Sequence, residues 1–295
     1  MSGPRFLISR LSSLGDVVCS LPAAAALKKG FPDAHVTWVV HARFADVVRA
    51  CSAVDEMLME PPSSDEAYDA ALDLQGLLKS GLVVARVKAK TKVGYHWQRE
   101  GSWLFSQKVM PDPSSLHVVD QYVDVARAIG GEADRADFAF EPTAEAIAAM
   151  RPSVPQDFVV VNPGSAQAAK RWPVAHFAAL IEEIPMKVVL VGASHETAGD
   201  EIMALCKKKP VNLTGHTTIA ELIALIGMAK AHVGGDTGST HIAAALGVPA
   251  IGLYSTTRPA RSCPYGQIGR CHYDPKSLAW IQPADVFATL KEAIG

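Results

Sequence analysis

Residues 231–246 read AHVGGDTGSTHIAAAL, and this stretch decides the fold. Residues 231–233 form a short apolar run that predicts a buried strand, and residues 238–246 predict a helix. Between them lies a turn of small and polar residues that contains Gly234, Gly235, Asp236 and Thr237. Because a helix start presents free N–H groups and a partial positive charge, such a turn is suited to binding an anion. Its spacing is neither G-x-G-x-x-G nor G-x-x-x-x-G-K-[ST], which excludes a dinucleotide fingerprint and a Walker loop.

The same strand-to-helix unit recurs along the chain. Alternating strands and helices of this length predict an α/β protein with parallel sheets and helices on both faces. Ligands of such sheets bind at the carboxyl ends of the strands. The predicted strands are 5–9, 34–40, 66–74, 91–95, 158–161, 187–191, 211–213, 231–233 and 250–254, and the predicted helices are 17–29, 43–50, 77–86, 117–130, 174–184, 196–207, 219–229, 238–246 and 283–294.

A proline-containing segment interrupts the alternation at residues 141–157. Pro142, Pro152 and Pro155 surround a short Ala-rich helix, a pattern that is typical of a domain linker. We therefore predict two Rossmann-like, doubly wound domains that face a cleft. They comprise residues 1–150 and 151–282, and a final helix lies within 283–295.

Two further loops follow predicted strands and carry polar residues. Residues 11–16 read LSSLGD, where Gly15 permits close approach of a ligand and Asp16 either contacts that ligand or caps the following helix. Residues 162–166 read NPGSA and are followed by Lys170. This second loop either holds a phosphate through its backbone N–H groups and the lysine, or is an ordinary turn with Lys170 in solvent.

Composition and charge exclude several classes of protein. The chain has 295 residues and a net charge of −2, which argues against a protein that coats nucleic acid. Residues 79–108 nevertheless carry seven Lys or Arg and a single acid, Glu100, a local charge of +6. This basic segment is either a solvated face or a surface for an anionic partner.

The cysteines and the N-terminus indicate a cytoplasmic protein. The five cysteines are scattered and include no C-x-x-C, which favours a reducing compartment over a disulfide or zinc framework. The N-terminal residues lack the apolar core of a signal peptide, and no apolar run approaches the ~18–20 residues of a membrane span. No Asp-x-Asp metal motif occurs.

Four motifs in order resemble those of one enzyme family. They are Ser12–Asp16 with Leu21-Pro22, the stretch DLQGL at 73–77 with Lys79-Ser80, the stretch AKRWP at 169–173, and Asp236-Thr237-Gly238 with His241. Together they resemble the ADP-heptose:lipopolysaccharide heptosyltransferases, glycosyltransferase family 9, which have the GT-B fold. The motif at 73–80, with Gly94 and Arg99-Glu100, is similar to the heptosyltransferase I branch, whereas the motif at 169–173 resembles heptosyltransferase II equally well.

The resemblance implies inverting transfer of heptose from ADP-heptose to the Kdo–lipid A inner core, without a metal ion or cofactor. Asp16 corresponds to the catalytic base. Ser165 stands where the first branch carries Thr, and Ala166 lacks the hydroxyl that follows it there. The donor-binding residues implied are Ser165, Lys170, Glu196, Asp236, Thr237, Gly238, Ser239 and His241. For Glu196, ordinary first-turn helix charge remains the alternative.

The resemblance also gives the basic segment a purpose. The acceptor-binding residues implied are Arg10, Ser13, Gly15, Lys79 and Arg99. Because the family's acceptor carries phosphates and carboxylates, the expected partners are an ADP-sugar, an anionic glycolipid and the anionic inner-membrane surface, with no nucleic acid. The expected location is therefore the cytoplasm, with peripheral association on the inner membrane. The last helix is expected to pack back on the N-terminal domain.

Other functions stay open at this point. A relative in the same family that uses another nucleotide-sugar would carry the same motifs. An epimerase or dehydrogenase with two Rossmann halves is disfavoured, because the chain lacks the dinucleotide glycines and a Tyr-x-x-x-Lys pair. A non-catalytic nucleotide-binding relative is disfavoured by the presence of Asp16 and Lys170.

Overall fold

The structure, a computed structural model, describes residues 3–63, 65–165 and 167–295. It consists of two compact units, Met1–Glu141 and Pro142–Gly295. The division falls at the first proline of the expected linker. The short helix in that linker belongs to the second unit, since it packs against a later helix of the same unit.

The described residues of the first unit form six strands and four α-helices. The strands are β1 (Arg5–Ser9), β2 (His35–Val39), β3 (Glu56–Leu58), β4 (Ala67–Asp73), β5 (Lys88–Tyr95) and β6 (Gln107–Val109), and the helices are α1 (Leu14–Gly30), α2 (Ala45–Arg49), α3 (Leu78–Arg86) and α4 (Val118–Arg127).

All strand pairs of the first sheet are parallel, in the order β3-β2-β1-β4-β5-β6. The chain runs outward from β1 to β3 and then returns to place β4 on the other side of β1, so the strand order reverses between β1 and β4. The two strands end in register, with Ser9 opposite Asp73. Leu7 and Ile8 of β1 are fully buried, because helices cover both faces of the sheet. The loops that follow β1 and β4 therefore meet at one edge.

The second unit repeats this architecture. Its strands are β7 (Phe158–Asn162), β8 (Lys187–Leu190), β9 (Val211–Asn212), β10 (Ala231–Gly235), β11 (Ala250–Tyr254) and β12 (Cys271–Tyr273), and its helices are α5 (Ala144–Met150), α6 (Val174–Glu183), α7 (Ala198–Leu205), α8 (Ile219–Met228), α9 (Gly238–Ala245), α10 (Pro259–Ser262) and α11 (Pro283–Ile294).

The second sheet is also parallel, in the order β12-β11-β10-β7-β8-β9. Here the strand order reverses between β7 and β10, where Asn162 lies opposite Gly234. In doubly wound sheets the crevice at such a reversal is the usual ligand site. Both units thus carry one such position, and the α/β class with parallel sheets is as predicted from the sequence.

The last helix, α11, contributes its apolar stripe to the core of the second unit. Val286 and Leu290 of α11 are fully buried in the core of the second unit, which also contains Phe177 of α6 and Leu253 of β11. An amphipathic helix buries its apolar stripe against the nearest apolar surface, and α6 and the sheet of its own unit supply that surface. These contacts place the buried stripe of α11 in the core of the second unit, and packing of the helix on the N-terminal unit stays a prediction.

Across the ranges that the structure describes, no helix is both long enough and apolar enough to cross a membrane.

Candidate functional site

The loops that follow β7 and β10 are joined by Asn162. Its Nδ2 donates a hydrogen bond to Ser239 Oγ at 2.8 Å, and its Oδ1 accepts one from the Gly164 backbone N–H at 2.9 Å. One side chain at the end of β7 thus holds both its own loop and the first turn of α9. This contact fixes the geometry of the strand-order reversal in the second unit.

Asp236 lies at the centre of a charged cluster at this reversal. Its Oδ2 accepts hydrogen bonds from Lys170 Nζ at 2.7 Å and Thr257 Oγ1 at 2.8 Å, and its Oδ1 lies 3.5 Å from His241 Nε2. Burial alone would raise the pKa of Asp236, but hydrogen bonds from His241 and Lys170 bring that pKa well below its ordinary value. Asp236 is therefore a carboxylate that holds Lys170 beside the start of α9.

The start of α9 supplies free donors next to this lysine. Thr237 is the N-cap residue, so the backbone N–H groups of Gly238 and Ser239 are the first two of the helix and have no intrahelical partner. A lysine ammonium has three N–H donors, and Asp236 takes one from Lys170. Two ammonium donors and two backbone amides, at the positive end of a helix dipole, are chemically suited to an anion such as a phosphate group.

The Ser239 hydroxyl has an internal role. Its side chain is buried, and its Oγ contacts His232 Nε2 at 3.0 Å in addition to Asn162. Burial, reinforced by the nearby His241, lowers the pKa of His232 to about 3, so this ring is neutral at physiological pH. A donor contact of Ser239 would therefore involve its backbone N–H, which has no partner within the helix.

Glu196 and Ser165 lie on the loops that adjoin this cluster. Glu196 Oε2 accepts a hydrogen bond from the Ala193 N–H at 2.9 Å, and a Cβ placed on Gly164 would approach that oxygen to 1.9 Å. Only glycine fits at 164 while Glu196 holds this position. Ser165 is buried next to Gly164, and its Oγ accepts a hydrogen bond from the Gln167 N–H. The neighbouring Ala166 lies outside the described residues.

Asp16 lies in the first turn of α1 and has two sets of partners. Its Oδ2 accepts hydrogen bonds from the Ser13 hydroxyl at 2.7 Å and the Ser13 N–H at 3.3 Å, which closes a capping box. Its Oδ1 pairs with Arg10 Nη2 at 2.9 Å. The side chain is still 47% exposed. The N-cap residue is Ser13, so Asp16 is not the N-cap that the simpler interpretation expected. Asp16 instead supports the cap from the first turn of α1, and it presents an accessible carboxylate beyond the end of β1.

Arg10 is an enclosed support for Asp16. It is 4% exposed, donates a hydrogen bond to the Leu74 carbonyl and packs over the Tyr122 ring at 5.1 Å. Burial works to lower the pKa of Arg10, but Tyr122 and Asp16 raise it above the ordinary value, so the guanidinium is charged. Arg10 is predicted to contact an acceptor directly, and its burial instead places it behind Asp16.

The loop after β4 lies against the loop after β1. Lys79 Nζ donates a hydrogen bond to Ser12 Oγ at 3.1 Å, and Gln75 Oε1 accepts one from the Leu11 N–H at 2.9 Å. The buried Asp73 shapes this loop, because its Oδ1 accepts the N–H groups of Gln75 and Gly76. Lys79 is thereby brought next to the loop that carries Ser13, Gly15 and Asp16.

Arg99 lies one loop further along the same edge of the sheet. Its backbone N–H donates a hydrogen bond to the Gly76 carbonyl at 2.7 Å, and its guanidinium lies 5.8 Å from the Trp97 ring centre. Gly76 has φ +69°, and a Cβ there would approach the Trp97 carbonyl oxygen to 2.6 Å, so this loop contact requires glycine. Arg99 is therefore attached to the loop of Lys79 through Gly76.

Sequence reasoning missed three supporting residues. Thr257 follows β11 and donates a hydrogen bond to Asp236, and Tyr122 of α4 packs against Arg10. Asn162 joins the loop after β7 to the start of α9 in the second unit. Asn162 is the first residue of the polar loop that follows the predicted strand 158–161, and so carried a usable signal. Thr257 and Tyr122 had none, because only the tertiary structure brings them to their partners.

In the part of the chain that the structure describes, no group of three or more His, Cys, Asp or Glu side chains is arranged to hold a metal ion.

These features define a two-unit α/β protein with an accessible carboxylate at the strand-order reversal of one unit and a cluster of N–H donors suited to an anion at that of the other. The sequence model of the family glycosyltransferase family 9 (heptosyltransferase) matches residues 64–274 of this chain, and the chain belongs to this family.

Curated relatives and a solved structure agree with this assignment. The chain is 26% identical to the lipopolysaccharide core heptosyltransferase OpsX of Haemophilus influenzae over 88% of this chain and 82% of that protein. It is 27% identical to lipopolysaccharide heptosyltransferase 1 of Salmonella typhimurium over 97% of this chain and 99% of that protein. The solved structure of Escherichia coli heptosyltransferase WaaC with ADP matches with a TM-score of 0.80 at 22% identity, over 98% of this chain and 99% of that one. The predicted family and the predicted GT-B fold are confirmed.

Proposed function

We propose that this protein transfers heptose from ADP-heptose to the Kdo–lipid A inner core, with inversion at the anomeric carbon and without a metal ion. The observation that carries the proposal is the placement of Lys170 by Asp236 beside the free N–H groups at the start of α9. This arrangement suits the diphosphate of a nucleotide-sugar. The structure of E. coli WaaC was solved with ADP, which makes ADP the first nucleotide to test here.

The second unit would stabilise the leaving group. As the bond between the anomeric carbon and the ADP oxygen breaks, negative charge grows on the diphosphate, and ADP leaves with the electron pair. Lys170 and the amides of Gly238 and Ser239 would offset that charge in a site where few water molecules compete. Glu196, on the adjoining loop, is our proposed contact for the nucleotide ribose.

Asp16 would act as the general base. It would take the proton of the acceptor hydroxyl as that oxygen forms its new bond to the anomeric carbon, on the face opposite the leaving ADP. The Arg10 pair and the Ser13 hydrogen bonds fix the orientation of this carboxylate and leave it 47% exposed. Arg10 is thus our proposed positioning residue for the base.

The acceptor would be an anionic glycolipid. Lys79 in the first turn of α3 and Arg99 on the loop after β5 are exposed cations at the same edge of the sheet as Asp16. Ser13 and Gly15 belong to the helix start that carries Asp16. Phosphate and carboxylate groups of an inner core suit such cations. The relatives from H. influenzae and S. typhimurium are both lipopolysaccharide heptosyltransferases, which supports this choice of acceptor. The proposed site of reaction is the cytoplasmic side of the inner membrane.

The experiment is a transfer assay with mass-spectrometric detection. Purified protein, ADP-heptose and Kdo–lipid A are expected to give an acceptor heavier by one heptose together with one ADP, and excess EDTA should leave the rate unchanged. A panel of other ADP- and UDP-sugars tests the donor. Transfer of a different sugar would revise the donor and keep the enzyme class. Binding of ADP without any transfer would favour a non-catalytic relative.

A further inference from the structure

An exposed apolar ridge runs along the first unit, outside the candidate site. We define it by four residues, Leu78 and Leu82 of α3 and Trp103 and Leu104 of the short 3₁₀ turn Ser102–Leu104. Their exposed fractions are 43%, 50%, 57% and 74%, which is high for large apolar side chains. Scattered apolar residues on a surface need no explanation, but adjacent ones do.

The two elements that carry the ridge pack directly against each other. A Cβ placed on Gly81 of α3 would lie 2.9 Å from Phe105 Cδ2 and 3.3 Å from Ser102 Cα, so glycine permits the turn to lie close to the helix. Leu78 and Leu82 are one helical turn apart and share a face of α3. Val83 and Val84 occupy the opposite, buried face.

Cations flank the ridge. Lys79 and Arg86 share the exposed face of α3 with its two leucines, and Arg99 and Lys108 lie on the segments before and after the Ser102–Leu104 turn. Lys88 and Lys90, in contrast, pair with Asp65 and Asp69. Within residues 3–63, 65–165 and 167–295, no carboxylate forms an ion pair with any of the four flanking cations.

A hollow of about 550 Å³ adjoins the ridge. Pro61, Leu82, Val83 and Ala85 line its apolar part, and Lys79 and Arg86 line its cationic part. An apolar floor with a cationic rim suits a molecule that is itself part acyl chain and part phosphate, as a phospholipid is.

We propose that the ridge and its four flanking cations dock this protein on an anionic lipid bilayer, with the apolar side chains entering the headgroup region. Interfacial surfaces combine apolar side chains with Lys and Arg, because burial of the first and attraction of the second add to each other. A surface that bound the bilayer by charge alone would not need the exposed apolar side chains of the ridge. The inference extends the proposed function by naming the surface that meets the membrane, and its observations do not depend on which sugar is transferred.

The test is co-sedimentation with vesicles of phosphatidylcholine containing 30% phosphatidylglycerol, compared with vesicles of phosphatidylcholine alone. The parent protein is expected to bind the anionic vesicles at least about tenfold more tightly, since each basic residue near an anionic surface contributes several-fold. The double variant Trp103→Ala/Leu104→Ala should weaken that binding at least about tenfold. Both side chains are more than half exposed, so the variant is expected to fold.

The second unit offers a matched control. Trp280 and Leu205 are 65% and 58% exposed, and the variant Trp280→Ala/Leu205→Ala removes the same two residue types from another surface. It should bind vesicles like the parent. Arg86→Gln/Lys108→Gln should weaken binding at low salt, and Lys187→Gln/Lys207→Gln should not.

Three results would overturn the proposal. The first is equal binding of the parent to neutral and anionic vesicles, and the second is equal vesicle binding by the Trp103/Leu104 variant and its control. The third is that the parent does not bind vesicles but self-associates in sedimentation velocity, and that the Trp103/Leu104 variant no longer self-associates. The last result would assign the ridge to a second copy of the chain. Vesicle binding needs no sugar transfer, so failure of the transfer assay leaves this test intact. In an active preparation, the Trp103/Leu104 variant should lose turnover on vesicle-embedded acceptor and keep it on deacylated acceptor.

Discussion

Lys170→Ala should weaken ADP binding about 10- to 150-fold. The lysine is only 20% exposed and is held 2.7 Å from Asp236, so its ammonium is ordered before the ligand arrives. Loss of a hydrogen bond between charged groups costs about 1.5–3 kcal/mol, which corresponds to this range of affinity. Asp236 keeps Thr257 and His241 as partners in the variant, so the fold of the cluster should survive.

Isothermal titration calorimetry with ADP measures this effect. Lys187→Ala is the matched control, because Lys187 is an exposed lysine at the amino end of β8, whereas Lys170 lies on the loop beyond the carboxyl end of β7. The control should bind ADP like the parent. Equal affinity of parent and Lys170→Ala would place the phosphates elsewhere and remove the basis of the proposed donor site.

Further predictions concern pH, the ribose contact and the base support. His232 is buried with its pKa lowered from 6.5 to about 3, so the unfolded chain binds a proton that the folded chain refuses. Stability should therefore fall as the pH drops below 6.5, by roughly 2–3 kcal/mol between pH 6.5 and 4.5 from this group, and urea unfolding of His232→Gln should show a shallower fall over that window. Gly164→Ala should displace Glu196 and weaken ADP binding as much as Glu196→Ala does, because both changes remove the same proposed ribose contact. If the losses of ADP binding free energy add in the double variant, as measured by calorimetry, Glu196 does not contact the ribose from this position. Arg10→Lys should lower turnover at least about tenfold while ADP affinity stays unchanged, because the variant loses the planar guanidinium that reaches both Asp16 and the Leu74 carbonyl. Unchanged turnover would show that Asp16 does not need this support.

The central strands and the last helix were predictable because local pattern and burial agree in them. Residues 5–9 form a continuous apolar run in the middle of a sheet, and residues 283–294 carry an apolar stripe behind a proline at the helix start. Both were predicted with the observed bounds. The edge strands β3 and β6 were missed, because they are three residues long, half polar and paired on one side only.

The site was predictable where a loop has an unusual composition. The glycine-rich turn before α9 and the LSSLGD loop both follow strands, as their sequences indicated, and the structure shows that both lie at strand-order reversals. The direction of individual side chains was not predictable. Arg10 is enclosed and the Ser239 hydroxyl is turned into the protein, because Tyr122, Asn162 and His232 approach them from distant parts of the chain.

The transfer rate of Asp16→Asn, measured alongside its affinity for ADP, tests the central claim most directly. The amide keeps the size of the carboxylate and removes the proton acceptor, so turnover should fall about 10²–10⁴-fold while ADP affinity stays near that of the parent. Because Asp16 also closes the capping box of α1, the stability of Ser13→Ala serves as the control for lost capping, and each variant should lose no more than about 2 kcal/mol of stability. A rate for Asp16→Asn close to that of the parent would show that Asp16 serves only the capping box and that the base lies elsewhere.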